Sequence, residues 1–165
     1  MDLKLNEYES GIMSLFGVKA MKNYEDMIRN RVHDYYWKDD INCVTTVLRI
    51  LAEIYEIELN PQLIDSAIGL HGAGTFGAQC GLVEGSLMFI GILGKRMGYD
   101  IPTITEFCYS FAHDFQIKFG SLVCRELRPQ GFSPDNPPHI CENITRQAAQ
   151  FTLDYIGNKM HARIS

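Results

Sequence analysis

The sequence lacks the short spacings that most quickly assign a cysteine-containing protein. No CxxC or CxxxxC pair occurs, so the patterns that make zinc or iron–sulfur assignments strong are missing. No CxxCH occurs, and covalent c-type haem is not expected. The HGAG of His71–Gly74 has no GxSxG elbow to serve as an oxyanion-hole partner, and no GxxxxGK[ST] phosphate loop is present. Positive charge is in deficit: Lys plus Arg is 15 against 20 acidic residues, a net charge of −5. That balance counts against nucleic acid as a partner. No apolar run approaches about 18 residues, so membrane insertion is not expected. The opening MDLKLNEYES interleaves its apolar residues with Asp, Lys and Glu and does not read as a signal peptide. A cytoplasmic location is the expectation.

What is present is mostly helical periodicity. Residues 1–20 are assigned as an N-terminal arm or short docking helix, 21–158 as one four-cysteine helical domain, and 159–165 as a tail. From Met21 to Tyr36, apolar residues including Tyr24, Ile28, Val32 and Tyr36 recur at helical steps. A second helix is predicted from Asn42 to Glu58, with a stripe of Val44, Val47, Leu48, Leu51 and Ile54 broad enough to be core. Pro61 opens a shorter helix through Leu70. A fourth helix, Leu82–Met97, contains Gly85, Gly91 and Gly94. Each costs about 1 kcal/mol relative to alanine, which close helix crossing would offset. Thr103 or Thr105 is expected to cap a fifth helix reaching Phe119, and a last helix covers Ile140–Gly157. The fold class that follows is all-α. It is a single-domain orthogonal or irregular helical bundle with a glycine-rich loop, Gly69–Gly81, between helices.

Five cysteines stand at positions 43, 80, 108, 124 and 141. An odd, widely spaced set without an export signal argues against a secreted disulfide scaffold. Cys43, Cys80 and Cys141 fall at predicted helix starts, and Cys124 in a turn that opens a brief helix through Leu127. Free N–H groups and the helix dipole favour the thiolate there, the form that binds metal or exchanges disulfides. Small packing residues at helix starts are the plainer alternative. Cys108 sits between aromatic residues inside the fifth helix and reads as a buried structural thiol. His71 is a candidate contact for a substrate or metal, or else a loop cap. His139 beside Cys141 is an alternative ligand, and His113 reads as structural.

Four sequence blocks carry a family resemblance. They are NCVTTVL at Asn42–Leu48, CGLVEGSLMFIG at Cys80–Gly91, FGSLVCREL at Phe119–Leu127 and CENITRQAA at Cys141–Ala149. In order and spacing the chain resembles the redox-active proteins with four invariant cysteines and a CGAxxG motif, the C_GCAxxG_C_C family. The resemblance selects Cys43, Cys80, Cys124 and Cys141 and omits Cys108. It implies roles for Gly81 and Gly85 at the loop-to-helix junction; Gly77 and His71, read from the glycine-rich loop itself, are further supporting residues. Leu82 stands where the motif has alanine. Related domains resemble the cysteine-bearing part of split-Soret cytochromes, which implies an iron–sulfur centre.

Three functions stay open. In the first, the four thiolates are cofactor and metal ligands for a [2Fe–2S] cluster or Zn²⁺. The iron form would serve electron transfer with an electron-transfer or transport-associated protein partner. In the second, the same quartet performs thiol–disulfide exchange. Cys80 is then the catalytic nucleophile, because its glycine-rich approach leaves the sulfur accessible. The third is a non-catalytic helical interaction protein, a homo-oligomer with structural cysteines. Whether the chain is an enzyme depends on which of these holds.

Overall fold

In a computed structural model of the chain, residues 24–128 and 130–161 are described. The proposed N-terminal arm over 1–20, Met21 and the end of the tail lie outside them. The described residues form a helical bundle: α1 (Glu25–Trp37), α2 (Cys43–Ile54), α3 (Pro61–Ser66), α4 (Gly81–Arg96), α5 (Ile101–Phe119), α6 (Cys124–Leu127) and α7 (Glu142–Tyr155), with a π-helical turn at Ile156–Met160. No strand occurs among the described residues, where Gln79 and Val123 form an isolated antiparallel bridge.

Helix α2 is the centre of the bundle because its apolar residues cover more than one face. Nine of its residues are buried, from Val44 to Ile54. Asn42 starts it: its side-chain oxygen accepts from the Thr45 N–H at 2.9 Å, while its amide donates to the Ile68 carbonyl at 3.2 Å. Glu56, at φ 51°, ends it two residues before the expected boundary region closes. Helix α3 stops at Ser66 instead of Leu70. The Ser66 hydroxyl takes the Leu63 carbonyl at 2.7 Å, and the following N–H groups tighten into three-residue steps.

Helix α4 packs closely against α2. A Cβ on Gly85 would stand 2.7 Å from the Val44 carbonyl oxygen and 3.3 Å from its Cα. Gly94 makes room for Ile104 of α5, whose Cγ1 would be 2.7 Å away. Two of the three interior glycines therefore permit helix crossing, whereas Gly91 has nothing within 4 Å.

Helix α5 is capped by Asp100, not by Thr103 or Thr105. The Asp100 carboxylate accepts from the Thr103 N–H at 2.9 Å, and Pro102 occupies the first turn, where its missing N–H costs nothing. Phe107, Phe111 and Phe115 are buried, and Phe151 of α7 packs its ring 5.6 Å from Phe111. Helix α7 begins at Glu142 because His139 takes φ 56° just before it. Inside the bundle, the Ser86 and Thr152 hydroxyls meet at 2.8 Å, and Thr152 donates to the Ala148 carbonyl. These two buried hydroxyls are thus partnered, whereas that of Thr46 on α2 has no partner among the described residues.

Candidate four-cysteine site

The four cysteines of the sequence blocks all stand at helix starts. Cys43 is the first residue of α2 and Cys124 the first of α6, while Cys80 and Cys141 are the residues that precede α4 and α7. The isolated bridge aligns two of them. The Cys80 N–H donates to the Leu122 carbonyl at 2.8 Å, and the Cys124 N–H donates to the Ala78 carbonyl at 2.6 Å. Two segments distant in sequence are thereby registered, and Cys80 and Cys124 each directly follow a bridged residue.

Glycine makes this packing feasible at two places. A Cβ on Gly81 would overlap the Cys43 sulfur and stand 2.7 Å from Val44 Cγ2. Gly72, at φ 67°, faces Cys124, whose sulfur would be 3.0 Å from a Cβ there. Residues Gly72, Ala73, Gly74 and Thr75 have φ of 67°, 52°, 63° and 71°, a short left-handed turn. Such backbone is unusual for alanine and more so for a β-branched residue. Arg125 clasps the end of this loop, donating to the carbonyls of Gly77 and Phe76, both at 3.1 Å. Gly77 leaves room for that arginine.

A cavity of about 160 Å³ opens beside the sulfurs, with Cys43, Cys124, Cys141, His71, Arg128 and His139 among its walls. Cys80 does not line it. Exposure of Cys80 is 6% and of Cys124 8%, so the glycine-rich approach does not leave Cys80 accessible. His71 Nδ1 is buried without a hydrogen-bond partner. The His139 ring stacks on Tyr36 at 5.4 Å. His113 is exposed on α5, and Cys108 is partly buried there, neither of them at the cavity.

Three of the four thiols are raised, two of them chiefly by burial. Burial pushes the Cys43 thiol up to about 12, with the charges of Cys141 and Cys124 adding to it. The hydrogen bond with Cys124 raises Cys80, and burial adds to that. Burial also raises Cys141, against the Arg128 guanidinium 3.7 Å away. Cys124 moves the other way, down to about 7, because the Cys80 thiol donates to it and Arg128 stands near. The expectation of thiolates at Cys43, Cys80 and Cys141 is therefore corrected. In the Cys80–Cys124 pair, Cys80 keeps the proton and Cys124 gives it up.

The profile of the C_GCAxxG_C_C family, described as "Putative redox-active protein (C_GCAxxG_C_C)", matches residues 41–155. The chain belongs to the C_GCAxxG_C_C family. No curated protein and no solved structure gives a match. All four cysteines of the site lie within the C_GCAxxG_C_C span, as do His71 and Arg128. Arg128 was not singled out in the sequence, although it stands four residues after Cys124 on the same short helical turn. Tyr36, also at the cavity, precedes the span. No helix among the described residues is long and apolar enough to cross a membrane.

The same geometry tests the implied metal groups. Among the described residues, no three His, Cys, Asp or Glu side chains converge closely enough to hold a metal ion. A tetrahedral zinc needs four donors on one point, so this arrangement does not fit it. The four thiols, three of them lining one cavity, have the donor chemistry of an iron–sulfur ligand set, without the converged geometry.

Proposed function

We propose that the chain is a two-electron thiol redox protein in which Cys80 and Cys124 cycle between dithiol and disulfide. Cys124, rather than Cys80, is the reactive sulfur. The observation that carries this reading is the bridge between Gln79 and Val123, which sets Cys80 and Cys124 side by side, where the Cys80 thiol holds Cys124 down to about 7. A sulfur that ionises near ambient pH combines thiolate population with nucleophilicity. On oxidation the pair yields two electrons and two protons to a two-electron oxidant, and one S–S bond forms. A dithiol reductant reverses the step. Cys43 and Cys141 stay protonated and shape the cavity. Free thiols of this kind fit a reducing compartment.

Thiol alkylation mapped by mass spectrometry as a function of pH tests the reading. Cys124 should label first, with a midpoint near 7, and Cys43 should stay unlabelled in the native protein at that pH. Equilibration in dithiothreitol buffers of graded oxidation should produce a Cys80–Cys124 bridge. Preferential labelling of Cys80, or absence of that bridge, overturns the proposal.

A second reading is a [2Fe–2S] centre held by Cys43, Cys80, Cys124 and Cys141, with a protein partner for electron transfer. Its support is the gathering of Cys43, Cys124 and Cys141 at one cavity, with Cys80 beside Cys124 at the Gln79–Val123 bridge. Iron would supply one-electron chemistry. Anaerobic treatment with iron and sulfide, followed by metal analysis, decides it. Stoichiometric iron with all four thiols protected from alkylation would favour the cluster over the thiol pair.

A further inference from the structure

We infer that, if Cys80 and Cys124 are a redox pair as proposed above, the oxidant they accept is hydrogen peroxide, admitted to the cavity in front of Cys124. The cavity of about 160 Å³ is the first ground. A water molecule occupies about 30 Å³ of liquid, so the space suits a few small molecules. A disulfide substrate must also bring a sulfur in line with Cys124, which is 8% exposed.

The order of the sulfurs is the second ground. Cys124 lines the cavity, whereas Cys80 is not among its walls and stands beside Cys124 at the Gln79–Val123 bridge. Of this pair, a small oxidant therefore meets Cys124 first, and the partner thiol is at hand to complete the reaction. The polar walls are the third ground. Arg128 supplies guanidinium donors and His71 has a buried Nδ1 with no partner of its own. Both suit a small polar molecule whose oxygens need hydrogen bonds, while Phe132 and Tyr36 supply the apolar remainder of the wall.

The chemistry balances without another reagent. The Cys124 sulfur attacks one peroxide oxygen and the O–O bond breaks. Cys124 becomes a sulfenic acid, and the other oxygen leaves as water with the proton released by the thiol. The Cys80 sulfur then attacks the Cys124 sulfur. An S–S bond forms and the sulfenic oxygen departs as a second water, taking the Cys80 proton. Two thiols have lost two electrons, and one peroxide has gained them.

The experiment uses the reduced full-length chain and compares hydrogen peroxide with bulky cumene hydroperoxide, reading the Cys80–Cys124 bridge by quenched-flow mass spectrometry. Hydrogen peroxide should form the bridge at least about tenfold faster than it consumes free cysteine at neutral pH, where free cysteine is only a few per cent thiolate. Cumene hydroperoxide should show no such advantage. In Cys80→Ala, and in Cys80→Ser as a control for packing, a dimedone adduct should accumulate on Cys124. Equal rates for the two hydroperoxides, a peroxide rate no greater than that of free cysteine, or an adduct on Cys43 or Cys141 would overturn the inference. The dithiothreitol equilibration separates the two failures, since slow equilibration does not depend on cavity access. A bridge at equilibrium with slow peroxide chemistry leaves the thiol pair standing, and no bridge at equilibrium removes both.

Discussion

Cys124 and Cys80 differ in ionisation although both are nearly buried, and the difference lies in their neighbours. Burial alone raises a thiol, as it does at Cys43, so Cys124 needs two compensations. The larger is the hydrogen bond from Cys80, and the smaller is the charge of Arg128. Arg128→Gln should therefore raise the pH midpoint of Cys124 alkylation, and Cys80→Ala should raise it further. Labelling kinetics across neutral and alkaline pH reads both shifts. An Arg128→Gln midpoint equal to that of the unaltered chain would mean that the guanidinium does not stabilise the thiolate. The helix-start positions of the four cysteines were legible from the sequence. Their ionisation was not, because helix position is local while desolvation comes from packing.

At the scale of elements, the glycines of α4 separate by what they face. Gly85 opposes the Val44 backbone, which cannot rotate away as a side chain can. Gly85→Ala should destabilise the bundle by about 1–3 kcal/mol through overpacking, by forcing α2 and α4 apart. Gly91→Ala places its methyl in open space and should stabilise the protein by up to about 1 kcal/mol through helix propensity. Denaturant titration of the two variants should give changes of opposite sign. Periodicity foretold that α2, α4, α5 and α7 exist because their apolar stripes are long. It misplaced the start of α5 because Thr103 and Thr105 resemble caps, whereas Asp100 holds the Thr103 N–H. It also overran α3, where Ser66 competes for a helix carbonyl.

Across the whole molecule, Glu142 ties α7 to α1. Its carboxylate accepts from Trp37 Nε1 at 3.0 Å and from Arg146, and lies 3.3 Å from His33 Nδ1. The Trp37 hydrogen bond is the foremost cause that holds its carboxyl below the ordinary 4.5, followed after desolvation by His33 and Arg146. A depressed carboxyl contributes stability that is present above the unfolded value and is lost as pH falls through the folded one. Glu142→Gln should cost about 1 kcal/mol at neutral pH, and the gap to the unaltered chain should close on acidification below 4.5. Thermal unfolding of both proteins across that range checks the sign. The long-range pairing was the least legible part of the candidate site. It depends on the bridge between Gln79 and Val123 and on the left-handed turn at Gly72–Thr75, neither of which has a periodic signature. That bridge also has a consequence for chain entropy. It brings the ends of the segment carrying α4 and α5 together without a covalent bond, so a Cys80–Cys124 disulfide would displace little in the folded state. Its restriction would fall on the unfolded chain, where closing a loop of roughly 45 residues is worth about 4 kcal/mol. Oxidation state would then be written into the melting temperature, with the oxidised chain the harder one to unfold.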